Sequence, residues 1–322
     1  MRAVVFTGAG GNEVVRLEER PDPEPSGGEL LVSVRYAGLN PADLSQRAGN
    51  YPAPPGSPRD IPGLEVAGTV TALGPQARGF DVGQRVFGIV GGGGLADRVV
   101  VHERHVTAVP DRLDDQHAAS VPEAFITAHD AVLTQAGLRP GELLLVNGAN
   151  GGVGTAGIQI GAAAGARVLG TVRDPELRDR VAALGADVVD PENLVAEARA
   201  RGGADVVLEL VGAPNLDPDL DALALKGRIV VVGTGAGDTA PISLRKMMGR
   251  RARLYGTGLR VRPLEEKAVA VQAFAREVVP HLASGRIDAL VDHVFPAAEA
   301  AAAFDRLASR GKLGKVLLDF EV

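Results

Sequence analysis

The sequence predicts an α/β protein: a Rossmann doubly wound parallel sheet in the middle of the chain, preceded by a mostly β region. Three observations predict it. The stretch Leu143-Leu-Leu-Val-Asn-Gly-Ala-Asn-Gly-Gly-Val-Gly154 reads as a strand, a glycine-rich turn and the start of a helix, and Arg167–Thr171 closes the unit as a second strand. Beyond it, strand-like and helix-like stretches alternate to about residue 260, the pattern of a parallel sheet covered by helices. Before it, short β-branched runs are separated by glycine and proline turns.

Taken in order, the first strands expected are Leu30–Tyr36, Gly68–Leu73 and Arg98–Val101. The loops Gly49–Gly56 and Gly91–Gly94 interrupt them. Four consecutive glycines at 91–94 imply a flexible turn or a close approach to a neighbour, not a phosphate loop, since no strand and helix flank them. The parallel sheet is expected to use Leu143–Val146, Val168–Thr171, Val206–Leu210, Ile229–Val232 and Arg253–Gly256. Helices are expected at Pro175–Leu184 and Leu216–Leu225, then at Leu264–Ser284 and Ala297–Ser309. A last strand, Lys315–Phe320, has no evident place in the parallel sheet and is expected to return to the N-terminal β region.

Composition narrows the function. The chain has 322 residues, enough for two domains, and its 45% hydrophobic and 23% charged content is that of a soluble globular protein. A net charge of −6 lacks the basic footprint of nucleic-acid binders. No apolar run reaches the ~18 residues of a membrane span, and Met1–Phe6 is too short for a signal peptide, so a cytoplasmic location is expected. The chain has no cysteine, which excludes disulfides, a thiol nucleophile and thiolate zinc sites. His102-Glu-Arg-His105 is one residue short of H-E-x-x-H and follows a strand-like run, so the expectation is two loop histidines and no metal.

The glycine turn carries the chemistry. Ala149, Gly151 and Gly154 occupy the three positions of G-x-G-x-x-G, with alanine at the first. Main-chain N–H groups across Ala149, Asn150, Gly151, Gly152, Val153 and Gly154 are expected to cradle a pyrophosphate at the helix N-terminus. Gly233, after a later strand, is a further candidate at the nucleotide. The position where an NAD site carries an acid is Val172 here, followed by Arg173, with Arg178 one helical turn on. Loss of the carboxylate and a nearby guanidinium favour a 2′-phosphate, hence NADPH, while Asp174 opposes it.

With these residues in place, the chain resembles the medium-chain dehydrogenase/reductase superfamily, and within it the zinc-free quinone oxidoreductases of the zeta-crystallin-like branch. The motifs are Gly38-Leu-Asn-Pro-Ala-Asp43, Pro62-Gly-Leu-Glu-Val-Ala-Gly68, Gly83-Gln-Arg-Val86, Val121-Pro-Glu-Ala-Phe-Ile-Thr-Ala128, the glycine turn, Gly185-Ala-Asp187 and Gly314-Lys-Val-Leu-Leu318, spread over essentially the whole length. The resemblance implies a GroES-like substrate domain over 1–123 and 262–322, a Rossmann NADP(H) domain over 124–261, a cleft between them and a homodimer. Zinc-dependent relatives carry Cys-x-x-Asp and Gly-His-Glu where this chain has Asn40-Pro-Ala-Asp43 and Gly63-Leu-Glu65. Within the zinc-free branch it departs too. A lysine that commonly binds the 2′-phosphate falls at Leu177, a serine falls at Asp174, and a tyrosine near Asp190 is missing. NADPH binding then rests on Arg173, Arg178 or Arg180, or is weaker than is usual in the branch.

Without a Lewis acid, acceptors that delocalise the incoming charge are the better match, quinones and conjugated enones among them. The nicotinamide is expected near Thr127. Asn40 is expected to hydrogen-bond a quinone oxygen, and Tyr51 to donate a hydrogen bond or a proton. Arg260 and Arg262 either border the cleft or solvate a loop. The expected activity is NADPH-dependent reduction of a small conjugated quinone. A 2-alkenal or enoyl reductase, and a non-catalytic NADPH-binding redox-sensing module, are the alternatives.

Overall fold

The structure is a computed structural model that describes residues 1–321. Its chain divides into two compact units, one of residues 1–126 together with those from Leu259 onward, the other Thr127–Gly258.

The first unit opens with an antiparallel pair, β1 (Arg2–Phe6) and β2 (Val15–Glu19). Five strands follow: β3 (Glu29–Gly38), β4 (Glu65–Leu73), β5 (Arg85–Ile89), β6 (Arg98–His102) and β7 (Val106–Ala108). β3 is the hub, pairing antiparallel with both β4 and β6. Alternate residues of β3, Leu30, Val32 and Val34, face a core shared with Val66, Val86, Val101 and Phe304, the period-2 pattern of a half-buried sheet.

The second unit holds β8 (Leu143–Val146), β9 (Arg167–Thr171), β10 (Asp187–Val189), β11 (Ala204–Glu209), β12 (Leu223–Val231) and β13 (Arg253–Gly256). They form one parallel sheet in the order β10-β9-β8-β11-β12-β13, the doubly wound arrangement. β8 is buried at every residue, as a central parallel strand covered on both faces must be. The helix Gly152–Ala163 lies on β8 and β11 through small residues: Cβ atoms added at Gly157 and Gly161 would stand 2.7 Å from Leu208 Cδ2 of β11 and 2.6 Å from Leu144 Cδ2 of β8.

The chain then completes the first unit with β14 (Val291–Pro296) and β15 (Lys315–Asp319). β15 pairs antiparallel with β3, placing Leu317 opposite Gly38, so the C-terminal strand does join the N-terminal sheet. Two expected helices differ. The stretch 264–284 is two helices, Leu264–Glu277 and Val279–Ser284, because Pro280 has no N–H and its ring crowds the preceding turn. The helix expected at 216–225 ends at Ala222, since Leu223 pairs with Ala204 and packs into the second unit's core. No helix among the described residues is long and apolar enough to cross a membrane.

Candidate active site

In the second unit the carboxyl ends of β8, β9, β11 and β12 converge on the glycine bend. Strand order reverses between β8 and β11, the position where ligands bind such sheets. Gly148 takes φ +71°, a left-handed conformation that favours glycine, and turns the chain into the helix Gly152–Ala163. No side chain caps that helix: its N-cap, Gly151, is exposed, and Gly152 and Val153 are partly exposed. A Cβ at Gly154 would stand 2.4 Å from Gly148 O and 2.8 Å from Ala149 Cα, so only glycine lets the bend close this tightly. These first-turn N–H groups and this cradle fit a pyrophosphate.

The bend also divides the sequence candidates. Ala149 is fully buried and its N–H is spent on Thr171 O at 3.1 Å, while Gly151 N–H is spent on Gly148 O at 3.1 Å. Neither amide is available to a phosphate, which corrects the expectation for those two; their role is to shape the bend. Ala149 is accommodated because Gly170 lies opposite, where a Cβ would come within 3.0 Å of the Ala149 methyl. Asn150 is partly exposed at the turn. Gly233 supports the site through backbone packing, since a Cβ there would meet Leu210 O at 2.2 Å. Thr127 is buried in the helix Pro122–His129.

At the end of β9, Val172 is buried and Arg173 is exposed. Arg178 is committed elsewhere: its Nε donates to Val172 O at 3.1 Å and its Nη2 to Asp190 Oδ2 at 2.5 Å. Asp190 is held below the usual carboxylate range, first by the Glu192 backbone N–H and then by Arg178 and Arg173. A 2′-phosphate would compete with Asp190 for Arg178, so Arg173 is the better-placed of the two arginines.

Beneath the bend lies a polar cluster that sequence reasoning missed. Asn147 Nδ2 donates to Glu209 Oε2 at 2.5 Å and to Asp219 Oδ1 at 2.7 Å, and Thr171 Oγ1 donates to Asn147 Oδ1 at 3.2 Å. Glu209 Oε1 accepts from the backbone N–H groups of Val211 and Gly212. Asp219 Oδ2 is buried with no hydrogen-bond partner, the place for a proton shared with Glu209. Burial, then the Glu209 charge, raises Asp219 well above its ordinary value. A raised carboxyl pKa contributes stability at low pH that is lost as pH rises through the folded value. Asp219→Asn, which cannot ionise, is therefore expected to gain a few degrees over wild type at pH 9, at about 2–4 °C per kcal/mol. Equal Tm losses for both proteins between pH 5 and 9, measured by thermal unfolding, would contradict the shared proton.

In the first unit, Asn40 N-caps the helix Pro41–Arg47 in a capping box with Asp43. Its side chain is only 5% exposed; Nδ2 donates to Glu65 Oε1 at 2.9 Å and, at 3.4 Å, to Gly38 O. Its Oδ1 accepts from Lys315 Nζ at 2.5 Å. One amide proton is held by Glu65 and the other meets Gly38 O only at long range, so a substrate oxygen would have to compete for that second proton. Lys315 also bridges to Leu39 O at 2.8 Å and Glu65 Oε1 at 2.5 Å. Burial raises Asp43 to about 6, against the Asn40 and Gly63 backbone N–H groups. Burial, then the Glu65 charge, raises Glu123 to about 7.

Tyr51 is partly exposed, and burial raises its hydroxyl pKa, with Arg260 opposing, so it remains a proton-bearing donor at neutral pH. Arg260 holds it in place. The guanidinium lies 4.9 Å over the Tyr51 ring and donates to Tyr51 O at 3.3 Å, Gly91 O at 2.8 Å and Gln46 Oε1 at 2.5 Å. At 4% exposure Arg260 is a buried staple, not a loop solvator. The Gly91–Gly94 run makes close approaches: Gly92, Gly93 and Gly94 are buried, and a Cβ at Gly94 would stand 3.0 Å from Gly63 C. Lys267 was also missed. The signal was a lysine on the buried face of its helix, three, four and seven residues before Ala270, Val271 and Phe274.

His102 and His105 lie 5.7 Å apart, His105 against Leu264 O at 3.0 Å. No group of three or more His, Asp or Glu among the described residues is arranged to hold a metal ion. A shallow cavity at the opposite, amino-terminal ends of β8 and β9, bordered by Arg167, Asp187 and Arg201, gathers none of this chemistry.

Known proteins share this architecture. Residues 26–111 match the alcohol dehydrogenase GroES-like domain family, and residues 152–276 match the family described as zinc-binding dehydrogenase. The quinone oxidoreductase of Sus scrofa is 32% identical over 329 residues, covering 99% of this chain and 97% of that protein. The quinone oxidoreductase of Thermus thermophilus, solved also in complex with NADPH, superposes with a TM-score of 0.85 at 36% identity, covering 99% and 100% of the two chains. The human synaptic vesicle membrane protein VAT-1 homolog-like protein gives 0.86 at 28% identity, covering 100% and 98%.

Proposed function

We propose, on the premise that this chain belongs to the quinone oxidoreductase-like branch of the medium-chain dehydrogenase/reductase superfamily, that it is an NADPH-dependent, zinc-independent reductase of a small conjugated quinone. One observation carries the reading: an uncapped helix N-terminus reached through a bend that only glycine at 154 permits. The bound nucleotide would supply a hydride. Gly152, Val153 and Gly154 would offer main-chain N–H groups to its pyrophosphate, and Arg173 a guanidinium to its 2′-phosphate. Two relatives support the reading: the Sus scrofa protein is named for quinone oxidoreduction, and the Thermus thermophilus protein forms a complex with NADPH.

The donor set supports a metal-independent reaction. Glu65 is already neutralised by an ammonium at 2.5 Å, Asn40 offers an amide, and the chain has no cysteine. Tyr51, held by Arg260, would donate to the acceptor oxygen. Homodimer assembly and a cytoplasmic location belong to the same reading. The unpaired edge of β13 and the exposed Leu225, Leu244 and Met248 on the Rossmann unit support a dimer.

The test is oxidation of NADPH and NADH across quinones, 2-alkenals and enoyl thioesters, with a chelator present. Quinone-dependent NADPH oxidation unaffected by the chelator is expected, and Arg173→Ser should narrow the NADPH-over-NADH preference in kcat/KM about tenfold, the worth of one exposed charge-assisted contact. Brisk alkenal reduction with no quinone turnover would favour the alkenal reductase. Tight NADPH binding with no acceptor reduced would favour a redox-sensing module.

A further inference from the structure

Lys267 is a buried cation that makes no direct ion pair. It lies on the buried face of the helix Leu264–Glu277 and is 9% exposed, in line with Ala270, Val271 and Phe274. Among the described residues its ammonium makes no hydrogen bond and has no carboxylate within 4.0 Å. A buried ammonium costs several kcal/mol unless it is paired, so a merely structural position would be better filled by methionine or leucine.

A second buried cation stands beside it. Arg260 spends its donors on Gly91 O, Tyr51 O and Gln46 Oε1, all neutral acceptors, and the carboxylates of Asp43 and Glu123 act on it only through space. Both cations adjoin Gly91. Arg260 holds its carbonyl, and a Cβ built on Gly91 would stand 3.7 Å from Lys267 Nζ and 2.5 Å from Ser57 Oγ. Glu123 acts on Lys267 only through space, and Tyr51 feels both Arg260 and Glu123. Two cations therefore stand beside Gly91, and one of them carries three unused N–H donors on one side chain.

We propose that Lys267 is a catalytic residue whose ammonium donates to the acceptor oxygen as that oxygen becomes anionic, so that the substrate class is one that forms an oxyanion on reduction. The proposal rests on the reductase reading above. In the step, the hydride electron pair forms the new bond to hydrogen at the acceptor, the acceptor's π pair moves onto its oxygen, and the nucleotide is left oxidised. The net charge delivered to the acceptor is −1, which one fixed ammonium in a low-dielectric site matches. Solvent supplies the proton that completes the reduction, and Lys267 keeps its own.

The first test needs no nucleotide. 4-Nitrophenol, whose absorbance reports its ionisation, is titrated with the full-length protein. The wild type is expected to bind the phenolate about tenfold more tightly than the phenol, a shift of about one pKa unit. Lys267→Met should abolish the preference and Lys267→Arg should keep most of it; Lys267→Gln replaces Met if that variant does not fold. In quinone turnover Lys267→Met is expected to lose about a hundredfold in kcat with KM changed less than about threefold, the size of one lost oxyanion donor. A wild type that binds no dye, or binds both forms equally, overturns the proposal. So does a folded Lys267→Met with wild-type kcat. A phenolate preference in a wild type that reduces no conjugated acceptor would support the oxyanion site and sink the reductase reading alone.

Discussion

Replacing Gly154 by valine is expected to weaken NADPH binding about a hundredfold or more while leaving the first unit intact. The added Cβ would overlap Gly148 O and Ala149 Cα, at 2.4 Å and 2.8 Å. Both are backbone atoms in a bend fixed by two internal hydrogen bonds, Ala149 N–H to Thr171 O and Gly151 N–H to Gly148 O. Nothing there can rotate away, so the helix must retreat and its first-turn N–H groups move off the phosphate position. Overpacking of this kind costs about 1–3 kcal/mol in stability; the larger effect falls on binding, which depends on the direction of several N–H groups at once. Gly157→Ala is the control. Its Cβ meets Leu208 Cδ2 at 2.7 Å, the far end of a flexible side chain, so stability falls and nucleotide affinity changes little. Calorimetric titration of both variants decides it. Equal affinities would place the nucleotide elsewhere.

Lys315→Met is expected to be the most destabilising single change in the first unit. Lys315 is 5% exposed and its ammonium is held by Glu65 Oε1, Asn40 Oδ1 and Leu39 O. Glu65 is fully buried and also accepts from Asn40 Nδ2 at 2.9 Å and the Glu123 backbone N–H at 2.8 Å. Removing the cation leaves a carboxylate in the dark with two donors and no counter-charge. Breaking a buried pair from one side costs about 3–5 kcal/mol, or roughly 6–20 °C in Tm at this domain size. Adding Glu65→Gln should recover much of the loss, because the amide carries no charge to strand. The double-mutant cycle separates the pair from its packing. A Lys315→Met Tm within a degree of wild type would mean that the ion pair contributes nothing to the sheet's closure.

Much of the fold was legible because it is written in local periodicity. Leu143–Val146 and Arg167–Thr171 were located to the residue, since a fully buried parallel strand must be a short apolar run, and the glycine bend was found in place, although its helix starts inside the glycine run at Gly152. The misplaced boundary at Ala222 and the split helix at Pro280 show where local signals compete with pairing and with a missing N–H. The site was legible only in part. Arg178 is an arginine at the right spacing, yet Asp190 has claimed it. Asn40 matches its motif, yet Glu65 holds one of its amide protons and Lys315 occupies its oxygen. Spacing announces which residues stand near one another along the chain; it does not say which partner takes a proton.

The amino-acid order alone determined the α/β class, the nucleotide-type bend, the absence of thiol chemistry and the return of the last strand to the first sheet. Tertiary structure alone decided the rest. It joined Glu65 to Lys315 from opposite ends of the chain, stacked Arg260 on Tyr51 and left Lys267 buried without a partner. The reason is physical: periodicity encodes which face of an element avoids water, whereas the fate of a buried charge depends on atoms brought within a few ångströms from distant parts of the chain, and no local pattern records them.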